Sequence, residues 1–212
     1  MLSTISLLLI GDIWQHYLIN INNEALVQGI IESGFGLIDN FISPAEVTDL
    51  RHLLVDRLNQ NEFKKAGIGK TTIRNEEIRG DYICWLNTNN LHPAEQAYFD
   101  KVNAIRQFLN ETCYLGVHEF ECHYAFYHTG SFYKRHLDRF KADTDRKISI
   151  ITYLHDDWQP DDGGQLVLHH TEGPEMVLPL AGRMLCFKSG ELEHEVKPAS
   201  RPRMSITGWL KG

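Results

Sequence analysis

The amino-acid sequence predicts an α+β fold in which helices precede a double-stranded β-helix, or jelly roll. Helical periodicity is confined to the first half of the 212-residue chain, whereas the second half consists of short strand-like runs separated by turns. Candidate metal ligands occur in an early and in a late run of the second half, so the fold has to bring distant strands together. A jelly roll does so, and 42% hydrophobic residues are enough to give it a sizeable core.

Three segments of the first half carry helix signals. The segment Glu24–Ser33 follows two asparagines that could cap it, and it stops at a glycine. In the second segment, Ser43-Pro44-Ala45-Glu46 combines an N-cap serine, a proline at the first helical position and a capping-box glutamate, which predicts a helix through about Asn59. Apolar residues at roughly helical spacing predict the third helix from Pro93 to Thr112.

Nine strands are predicted, two of them among the helices and seven after them. Each is a short run with strand character, and turn residues separate the runs. The predicted strands are Phe35–Asp39, Asp81–Leu86, Phe120–Tyr127, Phe132–Asp138, Ile148–Leu154, Gln165–His170, Arg183–Phe187, Glu193–Lys197 and Met204–Leu210. The chain length favours one domain. We expect an N-terminal helical segment (1–33), a helix-rich supporting region (34–114) and the jelly-roll core (115–212).

The segment Tyr127–Asp138 contains the most informative spacing in the chain. It ends in His136-Leu137-Asp138, and side chains two apart on a strand point to the same side, where they can hold one metal ion. A second pair, His155-Asp156-Asp157, runs into a turn-rich segment and is interpreted as a coincidental match. His194, in a later strand, is the candidate third ligand. Two histidines and one carboxylate on one face of a metal are typical of non-haem Fe(II) oxygenases.

The last predicted strand offers a partner for an anion. Residues 203–207 alternate polar and apolar side chains, so Arg203 and Thr207 share a face. An arginine on the inward face would be a buried charge without a partner, which is costly unless an anion pairs with it. A dicarboxylate bound to the metal at one end would supply that anion at its other end. Arg201 precedes a proline in a turn and is expected at the surface.

These residues resemble the 2-oxoglutarate- and Fe(II)-dependent dioxygenases, and within them the prolyl 4-hydroxylase family. The pattern Tyr127-x-x-Gly130-x-x-Tyr133-x-x-His136-x-Asp138 is similar to that of the family, and so is His194 nine residues before Arg203. Further segments resemble the egl-nine type prolyl hydroxylases and their bacterial relatives, so that the similarity spans about Gly34 to Trp209. These segments are Ile78–Trp85, Tyr153–Trp158, Gly163-Gly164 and His194–Ala199.

The resemblance implies a role for each matching residue. His136, Asp138 and His194 would be iron ligands, Arg203 would pair with the distal carboxylate of 2-oxoglutarate, and Tyr153 would donate a hydrogen bond to that carboxylate. The implied cofactor is Fe(II), the implied co-substrates are 2-oxoglutarate and O2, and ascorbate is an additional expected reductant.

Other residues are expected around the pocket. The resemblance implies that Tyr127 and Thr207 line it. Because the loop before the first histidine is one residue shorter than in animal egl-nine enzymes, Phe126 competes with Tyr127 for this position. His123 and His128 lie close enough in sequence to be pocket residues as well.

The implied activity is hydroxylation of a prolyl residue in a protein substrate, with release of succinate and CO2. The segments Lys64–Asn75 and Phe140–Arg146 are expected to be mobile loops near the site, which favours an extended peptide. Asp81 is expected to form a salt bridge that orders such a loop, with Arg146 as a candidate partner. Two alternatives are the same chemistry on a small molecule and a non-catalytic jelly-roll binding module. The complete ligand set and Arg203 argue against the second alternative.

Composition limits the possible partners and the compartment. The net charge of -7 argues against nucleic acid, whose binders need a clustered positive surface. Four widely spaced cysteines without a C-x-x-C motif favour a reduced, cytoplasmic environment. The apolar run Leu2–Ile10 is too short to cross a bilayer, and no Lys or Arg precedes Arg51 to form the charged region of a signal peptide. We therefore expect neither nucleic acid nor a membrane as a partner.

Overall fold

Residues 22–67, 77–138 and 145–212 are described by the computed structural model of the chain. The helices in these ranges are α1 (22–33), α2 (Pro44–Asn59) and α3 (Pro93–Cys113), with a 3-10 turn at Pro160–Asp162. The strands are β1 (Phe35–Ile38), β2 (Lys64–Lys65), β3 (Asp81–Trp85), β4 (Glu119–Tyr127), β5 (Tyr133–His136), β6 (Arg146–Tyr153), β7 (Leu166–His170), β8 (Gly173–Val177), β9 (Met184–Lys188), β10 (Glu193–Val196) and β11 (Arg203–Lys211).

Some sequence expectations concern parts of the chain beyond these ranges. The apolar run Leu2–Ile10 lies outside the described residues, and so does most of each predicted loop, Lys64–Asn75 and Phe140–Arg146.

The strands form two antiparallel sheets. The larger sheet has the order β1-β9-β6-β11-β4-β3-β2 and the smaller has the order β5-β10-β7-β8. Strands from the supporting region 34–114 therefore belong to the same sheet as strands of the core. Spatial neighbours are distant in sequence, since β11 lies between β4 and β6. These crossovers form the double-stranded β-helix that the sequence predicted.

Side chains that alternate along the larger sheet divide the apolar interior into two parts. On β4, Tyr124 and Phe126 belong to the cluster that also contains the buried faces of the helices. Ala125 and Tyr127, on the opposite face, pack in a second cluster with residues of the smaller sheet such as Leu168. The helices thus support the outside of the larger sheet, as predicted, and the space between the sheets receives the inward-facing residues of both.

The helix signals in the sequence act as expected at α2. Glu46 N–H donates to Ser43 Oγ at 3.3 Å, and Ser43 N–H donates to Glu46 Oε2 at 2.7 Å. This reciprocal pair satisfies two backbone donors that the first turn would otherwise leave unpaired. None of the helices in the described part of the chain is long and apolar enough to cross a membrane.

Two strands were not predicted. β8 lies at the edge of the smaller sheet, where it pairs with β7, and its three central residues are exposed. Its sequence begins Gly-Pro-Glu, so it has neither the alternation nor the composition of a strand, and pairing at the edge determines its conformation. β2 has two residues and is too short to leave a sequence pattern.

A buried carboxylate joins two helices to the larger sheet. Glu95 in α3 is fully buried, and its Oε1 accepts from Arg57 Nη2 of α2 at 2.7 Å and from Tyr124 Oη of β4 at 3.1 Å. Its Oε2 accepts from the His92 backbone N–H at 2.9 Å. Every oxygen of this charge is therefore paired, which is the condition under which a buried ion pair is tolerated.

We expect Glu95→Ala to lower the free energy of unfolding by about 3–5 kcal/mol, because it leaves the partly buried Arg57 without its partner. Urea denaturation of the purified protein measures this change. The matched control is Glu191→Ala, since the Glu191 side chain is 72% exposed and pairs with Lys188, three residues before it in the sequence. That control should cost less than about 1 kcal/mol. Equal losses in the two variants would contradict the role assigned to Glu95.

Candidate active site

His136, Asp138 and His194 converge between the sheets. One ligand atom from each lies within 4.8 Å of those of the others, and this is the only such group of three among the described residues. His136 Nε2 is 3.5 Å and His194 Nε2 is 3.6 Å from Asp138 Oδ1. This set of two imidazoles and one carboxylate could hold a divalent metal with positions left open on the opposite side.

Strand pairing places the two histidines. His136 ends β5 and lies directly opposite His194 of β10, so their ring centroids are 4.2 Å apart. Asp138 reaches the site differently. The predicted strand Phe132–Asp138 ends at His136 in the structure, so Asp138 lies beyond the strand and is carried by the chain that leaves it. The predicted strand is therefore two residues too long at this end, but the side chains of His136 and Asp138 lie on the same side, as expected.

Backbone carbonyls orient both imidazoles. His136 Nδ1 lies 2.7 Å from the carbonyl oxygen of Lys134, and His194 Nδ1 lies 3.3 Å from that of Leu192. Because a carbonyl only accepts, each Nδ1 carries the proton and each Nε2 presents its lone pair to the site. Burial lowers the pKa of His194 to about 4, so its ring is neutral at physiological pH.

Two serines fix the carboxylate of Asp138. Ser149 Oγ donates to Asp138 Oδ2 at 2.6 Å, and its own oxygen lies 2.9 Å from Ser189 Oγ, which must then act as the donor. Burial alone would raise the pKa of Asp138, but His194, His136 and the Ser149 hydroxyl outweigh it and hold that pKa far below its usual range. The ionised Oδ1 therefore remains directed at the histidines.

A stack of side chains supports the first histidine. The Tyr133 ring lies parallel to the His136 ring at 3.5 Å, and the Arg79 guanidinium lies over Tyr133 at 4.3 Å. Arg79 donates to both carboxylate oxygens of Asp81, at 2.7 and 2.5 Å. Arg79 is thus the partner of Asp81, whereas the candidate Arg146 pairs with Glu121 at 2.9 Å.

Arg203 is a buried cation without a carboxylate partner among the described residues. It is 2% exposed, its Nε–H donates to the carbonyl oxygen of Gly164 at 3.0 Å, and its Nη2 has no hydrogen-bond partner there. Tyr153 Oη is also buried and has no hydrogen-bond partner within the described ranges. The two side chains are adjacent, with the guanidinium carbon 5.0 Å from the tyrosine ring. Two such donors beside each other fit a carboxylate ligand.

Gly164 makes room for this arginine. Its φ is +67°, and an added Cβ would approach Arg203 Cδ to 3.4 Å and Trp158 and Ala199 atoms to 3.0 Å. A side chain at this position would therefore be strained in its backbone and would press on the guanidinium stem.

One cavity of about 380 Å³ connects the metal-ligand group with Arg203. Tyr127 and Thr207 line it, as expected from the sequence. Phe126, which competed with Tyr127, lies on the other face of β4 in the helix-side cluster. His123 also lines the cavity.

The second His-x-Asp pair does not converge. His155 is buried and its Nε2 accepts from the backbone N–H of Met204 at 2.9 Å. Burial, followed by the nearby Arg203 charge, lowers the pKa of His155 to about 2, so it remains a neutral acceptor. Asp157 instead faces solvent and pairs with the half-exposed Arg201 at 3.5 Å. His155 thus has a structural role, in which it binds the backbone at the start of β11.

Sequence reasoning missed Ser149, Ser189 and the stacking role of Tyr133. Ser149 carried a signal, since it is a polar residue on the face of the run Ile148–Leu154 that also carries Ile151 and Tyr153. Ser189 carried none, because it lies beyond the end of β9 and depends on tertiary packing to meet Ser149.

Comparison with known proteins agrees with this geometry. Residues 122–211 match the profile of the 2OG-Fe(II) oxygenase superfamily. A crystal structure of a Pseudomonas putida prolyl-4-hydroxylase is 37% identical, with a TM-score of 0.82 over 89% of this chain and 98% of that one. A Trichoplax adhaerens prolyl hydroxylase, solved with a hypoxia inducible factor peptide, is 26% identical, with a TM-score of 0.86 over 93% and 92%. A viral collagen prolyl hydroxylase from Paramecium Bursaria Chlorella virus-1, at 18% identity and a TM-score of 0.59 over 85% and 97%, shares the fold.

The chain belongs to the 2OG-Fe(II) oxygenase superfamily, in its prolyl 4-hydroxylase family. It is an Fe(II)-dependent dioxygenase that uses 2-oxoglutarate and O2 as co-substrates.

We expect anaerobic titration with Fe(II) to show one site per chain. His136→Ala, Asp138→Ala and His194→Ala should each abolish specific binding, because the site depends on its ligand count. Ser149→Ala keeps every ligand but frees the carboxylate, and should weaken binding by about 10- to 100-fold.

The control for these variants is His155→Gln, which keeps an acceptor for the Met204 N–H and removes the imidazole. It should bind Fe(II) like the unaltered protein. Loss of binding in His155→Gln with retention in His136→Ala would show that the wrong pair had been assigned.

Proposed function

We propose that this dioxygenase hydroxylates a prolyl residue in a protein or peptide. The observation that carries the proposal is the likeness, at 37% identity over nearly the whole of both chains, to a structure named as a prolyl-4-hydroxylase. The Trichoplax relative was solved with a peptide of hypoxia inducible factor, which supports a peptide as the kind of substrate.

In this proposal His136, Asp138 and His194 hold Fe(II). Bound Fe(II) supplies the oxidation chemistry, in which 2-oxoglutarate is converted to succinate and CO2 and one oxygen atom enters the substrate. The protein contributes two imidazoles that backbone carbonyls orient and a carboxylate that Ser149 fixes. Preorganised ligands of this kind avoid reorganisation when the metal binds.

Arg203 and Tyr153 anchor the distal carboxylate of 2-oxoglutarate. Both present buried donors without partners among the described residues, and the cavity runs from Arg203 to the metal ligands. Tyr127 and Thr207 form the walls between them. The buried guanidinium thus acquires its counter-charge from the co-substrate, which makes binding selective for a dicarboxylate. Use of ascorbate and a cytoplasmic location stay predictions from the sequence.

The substrate class is tested with proline-centred peptide arrays. The enzyme with Fe(II) and 2-oxoglutarate should form succinate slowly alone and faster with a subset of the peptides, and mass spectrometry should find one added oxygen atom on the central proline. The matched control replaces that proline by alanine and should remove both the stimulation and the product. Stimulation by free small molecules and by no peptide would contradict the proposal in favour of a small-molecule substrate.

We expect Arg203→Ala to raise the apparent Michaelis constant for 2-oxoglutarate by on the order of a hundredfold to a few thousandfold. Removal of one partner of a buried ion pair costs about 3–5 kcal/mol, and about 1.4 kcal/mol corresponds to a factor of ten. Arg203→Lys should recover only part of the loss, because an ammonium lacks the two-pronged geometry. Succinate formation against 2-oxoglutarate concentration measures both.

The control is Arg201→Ala, which removes a half-exposed cation two residues away. It should leave the apparent Michaelis constant for 2-oxoglutarate within a few-fold of that of the unaltered protein. A loss in Arg201→Ala without a loss in Arg203→Ala would show that the inward-facing arginine had been misassigned.

A further inference from the structure

Three more polar atoms at the cavity lack partners. Neither ring nitrogen of His123 has a hydrogen-bond partner among the described residues, and the same is true of Trp209 Nε1. His123 is 3% exposed and Trp209 is 6% exposed, and both line the cavity that contains the metal-ligand group. A buried polar group left unpaired costs about 1–3 kcal/mol, so these atoms indicate a ligand that satisfies them.

Packing holds both rings in place. His123 of β4 lies opposite Trp85 of β3, and the two rings are 4.8 Å apart and nearly perpendicular, at 66°. The Trp209 ring of β11 lies 5.5 Å from the His123 ring and 6.2 Å from the Trp85 ring, so the three rings pack together. The Arg146 guanidinium lies 3.5 Å over the Trp209 ring and is itself held by Glu121. Neither ring can turn away from the cavity without disrupting these contacts.

The hydrogen-bonding capacity of the pair follows from its charge state. Burial lowers the pKa of His123 to about 3, so the imidazole is neutral and offers one N–H donor and one acceptor nitrogen. The indole of Trp209 adds one donor. The pair therefore offers two donors and one acceptor, and it carries no charge that would select an ion.

This capacity matches a peptide main chain. A peptide unit presents a carbonyl oxygen with two lone pairs, which can accept from both donors, and an N–H, which can donate to the imidazole. A prolyl residue has no N–H of its own, so the donor must come from a residue that flanks it. A free carboxylate would satisfy the two donors but would leave the imidazole acceptor unpaired.

We propose that His123 and Trp209 form a subsite that binds the main chain of the peptide substrate beside the reacting proline, with His123 receiving an N–H from a flanking residue. This subsite rests on the proposed prolyl hydroxylation. It makes His123 a residue that determines substrate affinity, and it explains why a buried histidine has no hydrogen-bond partner among the described residues.

The test uses the array peptide that the unaltered enzyme hydroxylates fastest. Binding of this peptide to the Fe(II)- and 2-oxoglutarate-loaded enzyme is measured under anaerobic conditions for the unaltered protein and for His123→Phe and His123→Gln. His123→Phe keeps the ring contacts and removes both nitrogens, and should weaken peptide binding by about 5- to 150-fold. His123→Gln retains a donor and an acceptor and should recover part of the affinity. His52→Phe, an exposed position on α2, is the control and should bind like the unaltered protein.

A second arm replaces the flanking N–H groups of the peptide one at a time by ester oxygens. One replacement should weaken binding to the unaltered enzyme by about 5-fold or more and should have little effect on His123→Phe, because the partner is already gone. Equal effects in both proteins at every position, or undiminished affinity in His123→Phe, would overturn the subsite and leave prolyl hydroxylation standing. Failure of the unaltered enzyme to hydroxylate any peptide would instead overturn the proposed function and the subsite with it.

Discussion

The pairing of β5 with β10 is the interaction on which the site depends. It places His136 opposite His194, although the two residues belong to runs separated by most of the jelly-roll core. The carbonyl of Lys134 in β5 and that of Leu192, the residue just before β10, fix both tautomers. The register of β5 against β10 therefore determines the geometry of the ligands. A shift of one strand by one residue would turn its imidazole to the opposite face of the sheet.

The other sheet determines what the metal ligands face. β11 lies in the middle of it, and its alternation turns Arg203, Thr207 and Trp209 toward the cavity while Met204 and Ile206 pack on the helix side. The helices make this possible by covering the outer face, where Glu95 ties α2 and α3 to β4. The space between the sheets can then hold a buried guanidinium, because stability is supplied elsewhere.

The sequence predicted those features that depend on periodicity. Strand alternation identified the inward position of Arg203, and the capping signals at Ser43 located α2 to the residue. It failed where tertiary contacts decide the conformation. Asp138 lies past the end of β5 instead of within a strand, and β8 forms at a sheet edge from residues without strand character. The partner of Asp81 was also misjudged, because two residues of separation in sequence, Arg79 to Asp81, gave no sign of the bidentate pair.

Buried polar atoms without partners occur at both ends of the site, near Arg203 and near Trp209. In the described part of the chain, the buried side-chain nitrogen and oxygen atoms without partners belong to His123, Tyr153, Arg203 and Trp209 alone. His123, Arg203 and Trp209 line one cavity, and Tyr153 lies beside Arg203. Native interiors pair nearly all such groups, and this chain does so even for the fully buried Glu95. Unpaired atoms are thus confined to the surface that receives ligands, with donors suited to a carboxylate at the Arg203 end and a neutral donor and acceptor set at the Trp209 end. Under the proposed function and subsite, this separation lets one cavity bind a charged co-substrate and an uncharged main chain without competition between them.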